Sequence, residues 1–241
     1  MTIFCCEGYC PVCETRTTYR ADSHWFRASL KCENCGSVPR ERALTYMVKT
    51  LFPGWRKLAI HECSPVMRGF SVKLRDECKG YIPTHYFPDH GLGTVVRGYR
   101  NENIEAQTFG DSNFDVVVSL DVMEHLFNPD KAYTEIWRTL RPGGAYIHTF
   151  PIRKTQVEAI IDRAAQSQDG TVKHLVEKPE YHGNPIDPSG GSLVTKDYGY
   201  DISGKIAEWA PFDVQITRFW DRMHGIIGEY TEVVVCMKRD I

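Results

Sequence analysis

An α/β domain built on a parallel sheet, preceded by a small metal-held module, is the fold that the 241-residue sequence predicts. Two stretches predict it. Residues 114–151 read FDVVVSLDVMEHLFNPDKAYTEIWRTLRPGGAYIHTFP: a buried strand, an acidic turn, an amphipathic helix, a Pro-Gly-Gly break and a second strand. A unit of this kind joins parallel strands and leaves a ligand crevice outside their carboxyl ends. Residues 10–35 hold two CxxC pairs, Cys10 with Cys13 and Cys32 with Cys35. Their spacing suits four thiolates around a tetrahedral Zn²⁺.

Residues 1–38 form the expected zinc ribbon. TRTTYRADSHWFRASLKC supplies short strands between the cysteine knuckles, with Tyr19, Trp25, Phe26 and Leu30 as the core. So small a core needs its metal to fold, and four cysteine ligands leave no open position, which makes the ion structural. Gly36 suits the tight knuckle after the second pair. Cys5 and Cys6 are spare thiols nearby, whereas Cys63, Cys78 and Cys236 sit in apolar or helical contexts that suit packing.

The rest of the chain, 39–241, forms the main domain. Residues 39–52 carry Ala43, Leu44, Met47, Val48 and Leu51 at helical spacing, with Pro39 in the first turn. That helix ties the ribbon to the main domain. KLAIHE (57–62) reads as a strand. Ser64 and Pro65 read as the N-cap and first residue of a helix whose buried face is Val66, Met67, Phe70 and Leu74. GYIPTHYF (80–87) is the next strand, and a long loop leads to IEAQTF and then to FDVVVSL (114–120). The helix opened by Asn128, Pro129 and Asp130 buries Ala132, Tyr133, Ile136, Trp137 and Leu140, and AYIHTF (145–150) follows as a strand. A helix over 153–168, a Gly-, Pro-, Asp- and His-rich segment to 200, a helix near 202–209 and a hairpin of FDVQITRF with EYTEVVVCMK complete the chain.

Composition limits the function classes. A net charge of -2 gives no overall attraction to nucleic acid, although a local basic patch stays open. Hydrophobic content of 42% and charged content of 25% are those of an ordinary globular domain. No apolar run is long enough to insert in a membrane, and MTIFCCEGYC does not read as a signal peptide. A cytoplasmic location, where thiols stay reduced, is the expectation.

The LDVMEHL strand ending and the LRPGG turn closely resemble the second half of class I S-adenosylmethionine-dependent methyltransferases of the type 11-like group. The likeness extends over most of the chain, most closely at 10–45 and 114–151. It implies a Rossmann-like, mainly parallel seven-stranded sheet with helices on both faces, and S-adenosylmethionine as cofactor. In that family the first strand ends in an acid and a Gly-rich turn. Here HECSP stands in its place, so Glu62, Cys63 and Ser64 are the candidates to meet the amino-acid head of the cofactor. Free N–H groups of the following helix would face its carboxylate. THYFPD puts His85 or Tyr86 where the family places a ribose-binding acid, and Asn103 and Ile104 fall at the adenine position. Ser119, Leu120 and Asp121 end the strand that lines the crevice.

Methyl transfer to a hydroxyl gains from a base near neutral pKa, most often histidine. His125, His148 and His182 are the catalytic candidates. His148, within a strand, also fits a core histidine, and Glu124 reads as a cap that orients the next helix. Residues 152–200 correspond to the substrate lid. Its YHGNP run resembles a zinc-ribbon methyltransferase group associated with surface-glycan genes, which implies an oxygen acceptor on a glycan or small molecule. One rival reading is an RNA methyltransferase holding RNA on Arg16, Arg20, Arg27, Lys31, Arg40 and Arg42. The other is a binding module that has lost its cofactor. Nothing in the sequence points to an oligomeric state.

Overall fold

The computed structural model describes residues 1–187 and 189–239. The ribbon opens with a hairpin of β1 (Phe4–Cys10) and β2 (Thr15–Ala21). After the single turn α1 (Phe26–Ser29), β3 (Lys31–Cys32) adds to β2 and sets Cys32 opposite Tyr19. Tyr19 and Leu30 are buried as expected, but Trp25 is 47% exposed. Its ring meets Tyr230 edge-on and faces the crevice instead of the ribbon core.

The helix α2 (Pro39–Leu51) starts at Pro39, and the Glu41 carboxylate accepts the free Val38 N–H at 3.1 Å. Ala43, Leu44, Met47 and Val48 pack against one face of the sheet. The buried guanidinium of Arg42 donates to the carbonyls of Leu30, Ser37 and Gly225, fastening ribbon, helix and the C-terminal region together.

Next come β4 (Ala59–Cys63), α3 (Gly69–Glu77), β5 (Gly80–His85), β6 (Val95–Val96), β7 (Tyr99–Asn101), β8 (Phe114–Leu120), α4 (Pro129–Thr139) and β9 (Leu140–Thr149). Three short antiparallel ladders then form from β10 (Ile160–Asp162), β11 (Ala164–Gln166), β12 (Val172–His174), β13 (Tyr181–His182), β14 (Ser192–Leu193) and β15 (Lys196–Tyr198). The chain closes with α5 (Ile202–Trp209), β16 (Phe212–Arg218) and β17 (Glu232–Lys238). The main sheet has the order β16-β17-β9-β8-β4-β5-β7-β6. Strands β4, β5, β7, β8 and β9 are parallel, and β16 and β17 form the expected antiparallel hairpin. α2 and α3 cover one face, α4 and α5 the other.

Four expectations are corrected. The sheet has eight strands, not seven, because β6 folds back on β7. Arg97 and Gly98 both adopt positive φ between them, the geometry of a tight hairpin turn. The third parallel strand is Tyr99–Asn101, inside the stretch expected to be a long loop, and the irregular chain resumes at Glu102. There the Glu102 carboxylate accepts the Thr108 N–H, and the Asn103 side chain accepts the Glu105 N–H, which turns the chain. Residues 153–168 form turns and the short strands β10 and β11 instead of a helix. Arg163 N–H bonds Thr195 O, and Arg153 and Arg163 both grip Asp197, so cross-chain partners override the local pattern. Finally, the helix after β4 begins at Gly69, so Ser64 is not its N-cap and Met67 is exposed.

Candidate active site

In the ribbon, Cys10 Sγ lies 3.8 Å from Cys35 Sγ, and Cys13 Sγ lies 3.8 Å from Cys32 Sγ. A Zn–S bond of about 2.3 Å on a tetrahedron requires S–S edges of about 3.8 Å, so the four donors fit the ion. Gly36, at φ 70°, returns its N–H to Cys32 O and forms the knuckle. The hydroxyls of Thr17 and Ser37 contact the sulfurs of Cys32 and Cys35 at 3.3 and 3.2 Å, an outer layer that orients the thiolates.

A cavity of about 1400 Å³ opens at the carboxyl ends of β4, β5 and β8. Cys63, Ser64, His85, Tyr86, Asn103, Ile104, Leu120 and Asp121 all line it. Ser64 has φ 56°, the left-handed conformation that favours glycine, so it reproduces one feature of a Gly-rich turn without the residue. The glycine requirement falls at Gly69: φ is 55°, and a Cβ there would meet the Glu41 carboxylate at 2.5 Å. His85 is buried against the Tyr99 ring, and burial lowers its pKa to about 4 against the pull of the Pro65 carbonyl, leaving it neutral.

Among the cofactor candidates, Glu62 and Ser119 lie outside the cavity lining. Side chains alternate along a strand, so Glu62 turns away from the crevice and accepts the hydroxyls of Ser71 and Tyr81 at 2.7 and 2.6 Å. Burial pushes its pKa up to about 7. Ser119 is fully buried and shares a 2.6 Å bond with the Tyr146 hydroxyl. His148 is likewise withdrawn from catalysis. It stacks on Tyr146, bonds the Tyr133 hydroxyl at 2.9 Å, and burial lowers its pKa to about 3.

Asp121 lines the crevice, but its oxygens are engaged. Arg27 and Thr149 reach Oδ1, and Arg40 reaches Oδ2 at 2.8 Å. Burial alone would raise its pKa, and the two guanidinium groups overcome this and hold it below the usual carboxylate value. Asp121 therefore docks the ribbon and α2 onto the end of β8. Sequence reasoning also passed over two cavity residues. His61 bonds the Thr84 hydroxyl at 2.9 Å, and the carboxylate of Glu102 is held by Arg100 at 2.7 Å and by Thr108. The acid in GYRNEN was the visible signal for Glu102.

At the far end of the cavity, the single turn Met123–His125 follows β8. The lid segment is pinned to it: Thr195 N–H bonds Glu124 O, and the Tyr198 hydroxyl bonds Met123 O. This brings His182 of β13 to 5.2 Å from His125, centroid to centroid, with both rings beside the Glu124 carboxylate. Glu124 is 2% exposed and accepts no hydrogen bond, so the capping role expected of it is not the one it plays.

The strand order and the crevice at the carboxyl ends define a doubly wound, mainly parallel α/β architecture with its ligand site at the strand ends. Residues 87–148, which include LDVMEHL and LRPGG, match a family model described as a methyltransferase domain. The chain is 38% identical over 56 residues to a probable S-adenosylmethionine-dependent methyltransferase of Mycolicibacterium smegmatis, covering 23% of this chain and 22% of the relative. That match spans about a fifth of the relative's length. In structure, the chain is similar to a protein of Pyrococcus horikoshii OT3, with TM-score 0.52 and 16% identity, covering 83% of this chain and 90% of that one. It is also similar to an S-adenosylmethionine-dependent methyltransferase of Mesorhizobium loti, with TM-score 0.51 and 13% identity, covering 82% and 98%. At these identities the structural likeness is one of fold.

Proposed function

We propose that this protein transfers the methyl group of S-adenosylmethionine to a hydroxyl oxygen of a glycan or small molecule. One observation carries the reading: a single cavity runs from the strand ends to the Glu124–His125–His182 cluster. Its volume of about 1400 Å³ exceeds the roughly 300–1,000 Å³ of a one-ligand pocket, leaving room for cofactor and acceptor together. Cys63 and Ser64 would meet the amino-acid head, His85 or Tyr86 the ribose, and Asn103 with Ile104 the adenine. Bound S-adenosylmethionine supplies an already activated methyl group, so the protein's task is alignment and proton handling. The acceptor oxygen forms the new O–C bond, the C–S bond breaks with its electron pair going to sulfur, and the hydroxyl proton leaves toward the His125–His182 end. The lid ladders of residues 152–200 cover that end. The ribbon of residues 1–38 would hold one structural Zn²⁺ and brace the domain of residues 39–241.

The RNA reading loses support from the ribbon itself. Arg27 and Arg40 are committed to Asp121, Arg42 is buried on backbone carbonyls, and Arg20 pairs with Glu33. Only Arg16 and Lys31 of that set remain exposed without such partners among the described residues. Among those residues no helix is long and apolar enough to cross a membrane. The test is calorimetry with S-adenosylhomocysteine, followed by transfer of labelled methyl to a panel of glycans and small polyols. Saturable binding and labelled ether product are expected. Absence of any binding heat would sink the reading and leave the non-catalytic module.

A further inference from the structure

We propose that Glu124, His125 and His182 bind a divalent transition-metal ion at the acceptor end of the crevice, a second metal site separate from the four cysteines. Its role rests on the methyltransferase reading above; its existence does not. The hydrogen-bond partners decide which atoms are free. His125 Nδ1 lies 2.8 Å from the Leu193 carbonyl, which can only accept, so Nδ1 carries the proton and Nε2 is left with its lone pair. His182 Nε2 lies 3.2 Å from the Glu180 carboxylate, and in the neutral ring a proton held there leaves Nδ1 bare; the Glu124 and Glu180 carboxylates raise the pKa of this ring, so a metal ion on Nδ1 displaces a proton. Both bare nitrogens face the same atom: Glu124 Oε1 is 4.0 Å from His125 Nε2 and 3.5 Å from His182 Nδ1. Neither oxygen of that buried carboxylate has a hydrogen-bond partner. With both rings neutral, three acceptors converge on one point, an arrangement that a cation relieves in place of the proton His182 would otherwise share with Glu124.

The surroundings match those of a metal centre. Ligating histidines commonly donate their second N–H to a carbonyl or carboxylate, as His125 does to Leu193 and His182 to Glu180. The rings stand at 89° to one another, edge to face, and do not stack. The three ligand atoms lie within 4.8 Å of each other. Bound spacings of about 3.0–3.4 Å would require the side chains to close by about an ångström. Two imidazoles and one carboxylate suit Mn²⁺, Fe²⁺, Co²⁺ or Zn²⁺ better than Mg²⁺ or Ca²⁺, and three ligands leave positions open toward the cavity. Those positions fit an acceptor presenting adjacent oxygens, as a sugar diol does, and a cation there lowers the pKa of a coordinated hydroxyl, whose proton then passes to solvent at that end of the cavity because both imidazole lone pairs are on the metal.

The test titrates MnCl₂ into the full-length, zinc-loaded protein and follows the free Mn²⁺ signal by electron paramagnetic resonance. Mn²⁺ prefers oxygen and nitrogen ligands and does not displace zinc from thiolates. One saturable site is expected. Glu124→Gln and His182→Ala should each weaken it roughly tenfold or more, with zinc content and S-adenosylhomocysteine binding unchanged. No saturable Mn²⁺ binding overturns the site, and so does Mn²⁺ binding that survives both substitutions; in either case Glu124 is neutralised by a protonated His182. Mn²⁺ binding with the expected variant pattern but no S-adenosylhomocysteine binding keeps the site and removes the methyltransferase reading.

Discussion

Glu62→Gln should stabilise the protein above neutral pH. Glu62 occupies the position of the cofactor-binding acid in the resembled family, yet its carboxyl is 2% exposed and points at Ser71 and Tyr81. Burial pushes its pKa from the ordinary 4.5 to about 7, the two hydroxyl bonds notwithstanding. Because the folded pKa is raised, the stability this group contributes is complete below about pH 4.5 and is lost as pH rises through about 7. At about 1.4 kcal/mol for each pH unit, the gap between the two values costs the folded state about 3 kcal/mol in alkaline solution. A glutamine carries no charge, and the hydroxyls of Ser71 and Tyr81 can rotate to donate to its oxygen or accept from its amide. Urea unfolding at about pH 4 and about pH 8 provides the assay. The two proteins should match at the lower pH, and the variant should lead by about 3 kcal/mol at the higher one. S-adenosylhomocysteine affinity should not change, because the side chain faces away from the crevice. A variant equal to or less stable than the wild type at about pH 8 would refute the assignment of a costly buried charge.

Two further outcomes follow from the contact between ribbon and sheet. Asp121→Ala leaves Arg27 and Arg40 unpaired and largely buried, and should cost about 3 kcal/mol in urea unfolding at neutral pH. The folded pKa of Asp121 is lowered, so its contribution holds above the ordinary carboxyl value of 3.8 and disappears as pH falls below it; the variant should lack that acid-limb loss. Cys32→Ser, or chelation, should release one zinc per chain by elemental analysis and unfold the β1–β2–β3 module. Retention of native ribbon signals without metal would argue that its core suffices alone.

The fold was legible wherever the information is local. Periodicity placed the helix over 39–52, and the buried run FDVVVSL became β8, its strongest strand signal. The cysteine spacing found four sulfurs that do converge. Reading failed where partners lie far along the chain. Residues 153–168 carry a helical pattern but pair with 172–174 and 196–198, and the loop after β4 resembles a helix start only until Gly69. Within the crevice, the stretches expected to hold the cofactor do line it. The errors concern which side chain of a strand faces in: Glu62, Ser119 and His148 belong to the packed faces, while His61 looks into the cavity.

The sequence by itself determined the parallel α/β class, the four cysteines that converge and the turn at which the crevice forms, because each follows from spacing over a few residues. Tertiary structure alone decided the chemistry inside that crevice. Asp121 became a dock because two arginines from the ribbon and α2 reach it. Glu124 stands beside two histidines because Thr195 and Tyr198 pin the lid to its turn and bring His182 alongside. A carboxylate's role depends on what stands within a few ångströms of it, and here those neighbours come from parts of the chain that no local pattern connects.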